Sequence, residues 1–310
     1  MKNGKAQGAG AKLTLGPILF NWSAERYRDF YARIADEAPV ERVFIGEAVC
    51  SKREPFQTEV MAEAIERLEA AGKEVVVSTL ALVTLKRERK RLLETAEAVE
   101  GLVEANDVSA LGALGGRPHV AGPFLNVYNE ATVAMLAGNG ATTVCLPPEL
   151  PLASIATIAS ASRDLGVDIE VFAFGRIPLA VSARCYHARV HGLSKDSCQY
   201  VCDRDPDGLD VDTLDGQKFL AINGIQTMSQ TWAGLVADLP RLVAAGVTAF
   251  RLSPQTSDMV AVARIYREVL DGALDPQEAM ERLRRLAPEA TFSNGFLDGV
   301  AGAEYVARAS

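Results

Sequence analysis

Five cysteines are the residues of this sequence whose type and spacing best suggest chemistry. Cys185, Cys198 and Cys202 form the spacing C-x12-C-x3-C, and Cys50 lies much earlier in the chain. In a reducing compartment, clustered cysteines more often bind metal or carry out redox chemistry than form structural disulfides. Cys145 lies in an apolar run typical of a buried strand. Because free cysteine is among the most buried residue types, we predict a core role for Cys145.

Four thiolates that converge can bind either Zn²⁺ or an iron–sulfur cluster. Structural zinc sites favour two close cysteine pairs, whereas this sequence has one close pair and two cysteines from other segments. A cubane cluster is wider than one zinc ion and tolerates dispersed ligands better. The spacing therefore favours an iron–sulfur cluster, and zinc or unrelated core cysteines remain the alternatives. The radical-SAM triplet does not fit, because its last cysteine would stand where the chain has Asp205.

The elements that must position these thiols follow from the apolar pattern, in which β-branched runs alternate with amphipathic helical stretches. The runs that predict strands are 13–20, 42–45, 74–80, 102–110, 120–127, 142–146, 169–174 and 247–252. Eight strands joined by helices favour a parallel sheet closed into a (β/α)8 barrel of the TIM type. A doubly wound open sheet is the alternative, but no Gly-rich phosphate turn supports it. The connection ALGGRP between the fourth and fifth strands is short, so we predict a degenerate helix there.

One long interruption separates the seventh strand from the helix predicted to begin at Leu235. We place a cysteine-bearing insertion over residues 175–234, with a small hairpin over 207–228 that turns at Asp215-Gly216 and Asn223-Gly224. The loops that follow barrel strands gather on one face. Because Cys50 follows the second strand and the insertion follows the seventh, we expect all four thiols to meet at this rim.

Composition limits the class of protein. Lys plus Arg number 32 against 40 Asp plus Glu, for a net charge of −8, so the chain has no overall electrostatic footprint for nucleic acid. Its apolar stretches are far shorter than the roughly 20 residues of a membrane helix. We see no secretory leader and predict a cytoplasmic protein. We expect residues 1–12 to be a disordered tail and 13–310 to form a single barrel domain.

Several runs of the sequence resemble the collagenase-like peptidase family, and within it the proteins of oxygen-independent ubiquinone biosynthesis. The match extends over nearly the whole chain from Leu13. The runs that carry it are GEAVCSKR at 46–53, GPFLNVYN at 122–129, FGRIPLAVSARCYHAR at 174–189, KDSCQYVC at 195–202 and SNGFLDGVAG at 293–302. The resemblance implies a [4Fe-4S] cluster on Cys50, Cys185, Cys198 and Cys202, and it leaves Cys145 out.

The same resemblance implies partners and a reaction. It implies a heterodimer with a sister iron–sulfur protein, UbiU, that works with a lipid-binding accessory protein of the ubiquinone pathway. Together they would support hydroxylation of the ring of ubiquinone precursors without O2, with prephenate as the oxygen source. Two alternatives remain: a factor for hydroxylation of tRNA or rRNA bases, as in other members of the family, and a zinc-stabilised scaffold that only binds a partner.

Peptidase activity is not expected. Relatives named as peptidases have His-Gly and then Cys in the segment that matches 174–178, which here reads FGRIP, and no nucleophile elbow or paired catalytic histidine is recognisable. His187 and His191, next to Cys185, are interpreted either as donors to a cluster sulfur or as ordinary loop histidines. His119 is predicted to enter a strand.

Other polar residues have two interpretations each. Polar residues at or just after strand ends could line a cavity, but such residues more often cap helices or bond to loop backbone. The residues at these positions are Glu47, Asn126, Asn129, Arg176 and Asn223. Of these, Arg176 is the best partner for an anionic substrate. The basic run 86–91 is interpreted as a solvated helix face, with a docking patch as the alternative. Cations that could offset the charge of the thiolates are Arg184, Arg189, Lys195 and Arg204.

Overall fold

Eight parallel strands close into a barrel in the computed structural model, which describes residues 10–308. The barrel strands are β1 (Lys12–Leu15), β2 (Arg42–Ile45), β3 (Glu74–Ser78), β4 (Leu102–Ala105), β5 (His119–Ala121), β6 (Ala141–Leu146), β7 (Asp168–Val181) and β11 (Ala249–Leu252). Each strand pairs in parallel with the next, and β11 closes the ring by pairing with both β7 and β1. The predicted (β/α)8 barrel is confirmed.

Helices follow the barrel strands. They are α1 (Ala24–Glu37), α2 (Glu54–Ala70), α3 (Lys86–Ala98), α4 (Val108–Leu114), α5 (Glu130–Gly138), α6 (Leu152–Asp164), α7 (Tyr186–Val190), α8 (Leu239–Ala244), α9 (Met259–Leu270) and α10 (Pro276–Leu286). The degenerate helix predicted between the fourth and fifth strands is α4, a two-turn helix that Gly115 ends in the left-handed conformation. The helix predicted from Leu235 starts at Leu239, after a 3₁₀ turn. Within residues 10–308, no helix has the length and apolarity needed to cross a membrane.

The segment between the seventh barrel strand and α8 forms an antiparallel extension of the sheet. Its strands are β8 (Leu209–Asp212), β9 (Lys218–Asn223) and β10 (Gln226–Gly234). β10 pairs antiparallel with the second half of β7 and with β9, and the short strand β12 (Phe292–Ser293) pairs with β10. Both predicted turns occur, one between β8 and β9 and the other between β9 and β10. Here the prediction missed the lengths of two strands: β7 runs far beyond residue 174, and β10 runs beyond residue 228.

The predicted disordered tail, 1–12, falls mostly outside the described residues. Of its residues that the structure describes, Lys12 already belongs to β1, where it pairs with Ala249. The division of the chain into a tail and a single domain stays a prediction.

A buried ion network fills part of the barrel interior. The Arg251 guanidinium donates from Nε to Glu170 Oε2 at 2.8 Å and from Nη1 to Glu104 Oε1 at 2.5 Å. Ser78 Oγ and Thr14 Oγ1 each donate to one of these carboxylates at 2.6 Å. Burial lowers the pKa of Arg251, but the neighbouring thiol of Cys145 and the two carboxylates outweigh it and raise the pKa overall. The network therefore ties β1, β3, β4, β7 and β11 together through charge as well as through apolar packing.

Removal of this cation should destabilise the barrel strongly. Arg251→Met leaves Glu104 and Glu170 buried without a charge partner, and we expect the free energy of unfolding to fall by about 3–5 kcal/mol. Arg42→Met is the matched control, because Arg42 is also buried but its partner Glu74 keeps 42% of its side chain exposed. Denaturant unfolding of both variants measures the difference. Equal losses would contradict the role of the network.

Candidate metal centre

Cys50, Cys185, Cys198 and Cys202 lie around one small cavity at the C-terminal rim of the barrel. The cavity has a volume of about 20 Å³, and its other walls come from Lys52, Arg53, His187, Lys195, Tyr200, Val201 and Gly224. All four thiols are free of disulfide bonds. The structure thus brings together the four cysteines singled out in the sequence, although 135 residues separate the first two. Their role as ligands stays a prediction.

The loop after β2 presents Cys50. Its backbone wraps around the buried carboxylate of Glu47, which accepts the N–H groups of Val49 at 2.7 Å and Cys50 at 2.8 Å. Burial raises the pKa of Glu47, and the charge of Arg53 and these two N–H groups oppose the rise. The loop starts at Gly46, whose φ of 139° and close approach to Ser78 leave no room for a side chain. Glu47 therefore supports the loop that carries a candidate ligand, and it does not line the thiol cavity.

The other three thiols come from short, tightly turned segments of the extension. Cys185 caps the start of α7: its Sγ accepts the N–H of Ala188 at 3.4 Å and donates to the carbonyl of Gly224 at 3.3 Å. Between Cys198 and Cys202, the residues Gln199 and Tyr200 both have positive φ, at 49° and 56°. Such strain in non-glycine residues persists only where the surroundings fix it, typically at functional sites. Here the strained turn brings the close cysteine pair to the same cavity.

Arg53 joins the Cys50 loop to the extension. It is buried at 1% exposure, and its guanidinium donates to the carbonyl of Leu19 at 3.2 Å and to the side-chain oxygen of Asn223. Burial lowers the pKa of Arg53, but Glu47 and the thiols of Cys202 and Cys50 raise it overall. The Arg53 cation therefore holds three segments in contact directly beside the thiols.

Lysines add to the positive charge around the cavity. Lys52 donates from Nζ to the carbonyl of Lys195 at 2.6 Å, so a second contact ties the Cys50 loop to the extension. Of the four cations proposed from the sequence, Lys195 lies in the cavity wall and Arg184, Arg189 and Arg204 do not. Lys52 and Arg53 were not predicted from the sequence as cations of this site. Their signal was the run GEAVCSKR, in which two cations directly follow the first cysteine.

The spacing of the thiols tests which group they fit. Around one tetrahedral zinc ion, with Zn–S bonds of about 2.3 Å, sulfur atoms lie about 3.8 Å apart. Among the described residues, the cysteines supply no group of three ligand atoms within 4.8 Å of one another. Four thiols and no carboxylate form a donor set found both in iron–sulfur clusters and in structural zinc sites, and the neighbouring cations suit either negatively charged group, so the spacing is what separates the two. The arrangement therefore fits a group wider than a single metal ion.

Cys145 lies apart from this cavity. It is fully buried on β6, and burial raises its pKa well above the usual value. Its nearest charges are those of the barrel network, Arg251, Glu170 and Glu104. This position agrees with the core role predicted from the sequence.

Most of the polar residues at the rim cap helices or shape turns, which is the interpretation that the sequence favoured. Asn129 caps α5 by accepting the N–H of Thr132 at 2.8 Å, and Asn126 ends a 3₁₀ turn with a positive φ. The expectation that Arg176 could receive an anionic substrate is corrected. Its guanidinium is committed to the carbonyls of Ser229 and Gln230 and to the carboxylate of Asp210, all within 3.0 Å, and the two carbonyls lie where the register of β7 and β10 shifts.

Of the two interpretations of the histidines beside Cys185, hydrogen bonding to a cluster sulfur finds no support. In the described part of the chain, neither donates a hydrogen bond to a cysteine sulfur. His187 is buried with its Nε2 2.9 Å from Asp205 Oδ2, and its ring stacks on that of His191 with centroids 5.6 Å apart. His119 begins β5 as predicted, and its Nδ1 lies 2.8 Å from the carbonyl of Arg117.

Comparison with known proteins decides the family. The sequence profile of Peptidase family U32 matches residues 22–307. The chain belongs to peptidase family U32. The resemblance to the collagenase-like peptidases is thereby confirmed at the level of the family.

Solved structures are similar to this U32 member only distantly. A protein named as a fructose-1,6-biphosphate aldolase, from Coccidioides immitis, has 11% identity and a TM-score of 0.42, with 96% of this chain and 94% of the other covered. D-psicose 3-epimerase from Clostridium cellulolyticum H10 has 10% identity and a TM-score of 0.37, with 89% and 99% covered. Scores this low carry no argument about function.

The junction beside the thiols can be tested at one glycine. Gly224 has a φ of 64°, and a Cβ there would lie 2.5 Å from Arg53 Nη2, whereas Gly216 has a φ of 79° and open space around it. Both Gly→Ala changes place alanine in the left-handed region, at about 1–2 kcal/mol each. Gly224→Ala should lose a further 1–3 kcal/mol or so through overpacking. Denaturant unfolding compares the two variants, and equal losses would show that Arg53 is not held tightly there.

Proposed function

We propose that this U32 member is an iron–sulfur subunit of the oxygen-independent hydroxylation system of ubiquinone biosynthesis, that is, a UbiV-type protein. The observation that carries the proposal is the convergence of four thiols from separate segments on one cavity. Two runs on which the family resemblance rests, GEAVCSKR and KDSCQYVC, supply three of these thiols and the cations Lys52, Arg53 and Lys195. Resemblance and geometry thus point to the same residues.

The four cysteines would hold a [4Fe-4S] cluster, which when bound supplies one-electron transfer. With a protein thiolate for every iron, no open coordination position remains for a substrate, so we assign electron transfer or structural support to this site. Arg53, Lys52 and Lys195 would offset the negative charge of the thiolates. Tyr200 packs edge-on against Phe56 with ring centroids 4.7 Å apart, which covers the turn of the close cysteine pair.

Partners and substrate complete the proposal. We propose that the chain forms a heterodimer with UbiU and acts with the lipid-binding accessory protein of the pathway. Without O2, the oxygen atom of the new hydroxyl group must come from another donor, and prephenate is the donor we propose. Because four free thiols require reducing conditions, we place this activity in the cytoplasm. Peptide hydrolysis is not part of the proposal, since Arg176 in the segment 174–178 serves to pair β7 with β10.

The two alternatives find less support in the described residues. A factor acting on tRNA or rRNA bases would bind a phosphate backbone, yet the net charge is −8. The basic run 86–91 opens α3, where Arg91 pairs with Glu54 at 2.6 Å and Lys90 with Glu94 at 3.7 Å, as in an ordinary solvated face. A zinc scaffold would need thiols closer together than those around the cavity.

A pair of cysteine variants tests the proposed cluster. Cys198→Ala removes one candidate ligand at a half-buried position and should abolish both the bound iron and ubiquinone synthesis during anaerobic growth. Cys145→Ala is the matched control and should leave the iron content near that of the unchanged protein. Iron and sulfide analysis and visible absorption after anaerobic purification measure the first effect, and quinone extraction measures the second.

Other outcomes separate the alternatives. Equal iron loss in both variants would overturn the assignment of the ligands. A colourless protein that contains zinc would favour the scaffold. Normal ubiquinone with loss of a hydroxylated RNA base in Cys198→Ala cells would favour the RNA factor.

A further inference from the structure

A second cluster of metal-ligating side chains lies next to the thiol cavity. His187 and His191 are four residues apart on and just after α7, and Asp205 follows the 3₁₀ turn that contains Cys202. One ligand atom from each of these three residues lies within 4.8 Å of the other two. Neither the family match nor the proposed function gives these residues a task.

The contacts within this cluster are poor as hydrogen bonds. His187 is completely buried, and neither of its ring nitrogens has a hydrogen-bond partner of acceptable geometry. Its Nε2 is nevertheless only 2.9 Å from Asp205 Oδ2. A buried imidazole without well-aligned hydrogen bonds is costly, so an ion shared with Asp205 would relieve this geometry.

A metal ion would account for this geometry. With metal–nitrogen and metal–oxygen bonds of about 2.0–2.2 Å, adjacent ligand atoms lie about 3.3–3.6 Å apart around a tetrahedral ion and about 2.8–3.1 Å apart around an octahedral ion. The 2.9 Å between His187 Nε2 and Asp205 Oδ2 is compatible with the octahedral distance but is also an ordinary hydrogen-bond distance, so the argument for an ion is that all three ligand atoms lie together. Two histidines at i and i+4 on one helical face are a common pair of metal ligands. His191 is exposed and Asp205 half-buried, so an ion can reach the site from solvent.

We propose that His187, His191 and Asp205 bind a divalent first-row transition-metal ion. Two imidazoles and one carboxylate suit zinc, iron or nickel and leave coordination positions for water. The ion would join α7, which Cys185 caps, to the turn that contains Cys202. It would thus brace two of the four thiol segments from outside the cavity, whatever the cavity itself holds.

Zinc binding to the purified, iron-loaded protein tests the site. We expect one Zn²⁺ per chain with no loss of iron, and X-ray absorption at the zinc edge should show nitrogen and oxygen at about 2.0 Å and no sulfur at about 2.3 Å. His191→Ala and Asp205→Asn should weaken zinc binding by at least about tenfold. Arg189→Ala is the matched control, because Arg189 is exposed on the same helix, and it should bind zinc normally.

Three results would overturn the proposal. They are zinc affinity unchanged by His191→Ala, sulfur around the zinc, and the absence of stoichiometric binding at micromolar zinc. Loss of iron from His191→Ala with zinc affinity unchanged would in addition assign these histidines to the thiol site. Since iron content is measured beside zinc, failure of this site is distinguishable from failure of the proposed cluster.

Discussion

The structure around the thiols depends on one buried cation. Arg53 lies at the point where the Cys50 loop, the loop after β1 and the β9–β10 turn meet, and it bonds to Leu19 and Asn223. A buried guanidinium is costly unless negative charge and hydrogen bonds compensate it, as Glu47, Leu19 and Asn223 do for Arg53. The backbone at Gly224 passes too close to Arg53 for any side chain. The same contact therefore closes the junction and sets the distance between Cys50 and the extension.

The extension reaches this junction because both of its ends belong to the same β-ladder, which β7 and β10 form. β7 pairs with β6 as far as Val171 and with β11 as far as Phe174, bends at Gly175, and then pairs antiparallel with β10. Gly175 has a φ of 106° and lies against Ser253, so the bend requires glycine. Phe174 packs against Trp232 on β10 with ring centroids 5.7 Å apart. Because both ends of the extension are fixed to the barrel, its cysteines are held over the rim.

The sequence predicted the architecture well where the apolar period was clean. The run 42–45 has the same bounds as β2, but 102–110 joins a strand to a helix, because Asp107 caps α4 inside the apolar run. The convergence of the thiols was predictable, since barrel loops meet on one face. The contact of Arg53 with Asn223 was not, because it joins residues 170 positions apart through side-chain packing. Likewise, the sequence shows the spacing of His187 and His191, but only the folded turn shows that Asp205 lies beside them.

Charge and spacing together narrow what the cavity can hold. A zinc ion and an iron–sulfur cluster both carry a net negative charge when four thiolates bind them. The nearby cations Arg53, Lys52 and Lys195 therefore suit either group and do not discriminate between the two. The discriminating feature is the distance between the sulfur atoms, which the backbone sets. Gln199 and Tyr200 carry the close pair in a turn of positive φ, and Arg53 ties the Cys50 loop to Asn223. Among the described residues, no three cysteine sulfur atoms lie within 4.8 Å of one another, which is wider than the arrangement around one zinc ion. The spacing of the thiols therefore favours the wider group.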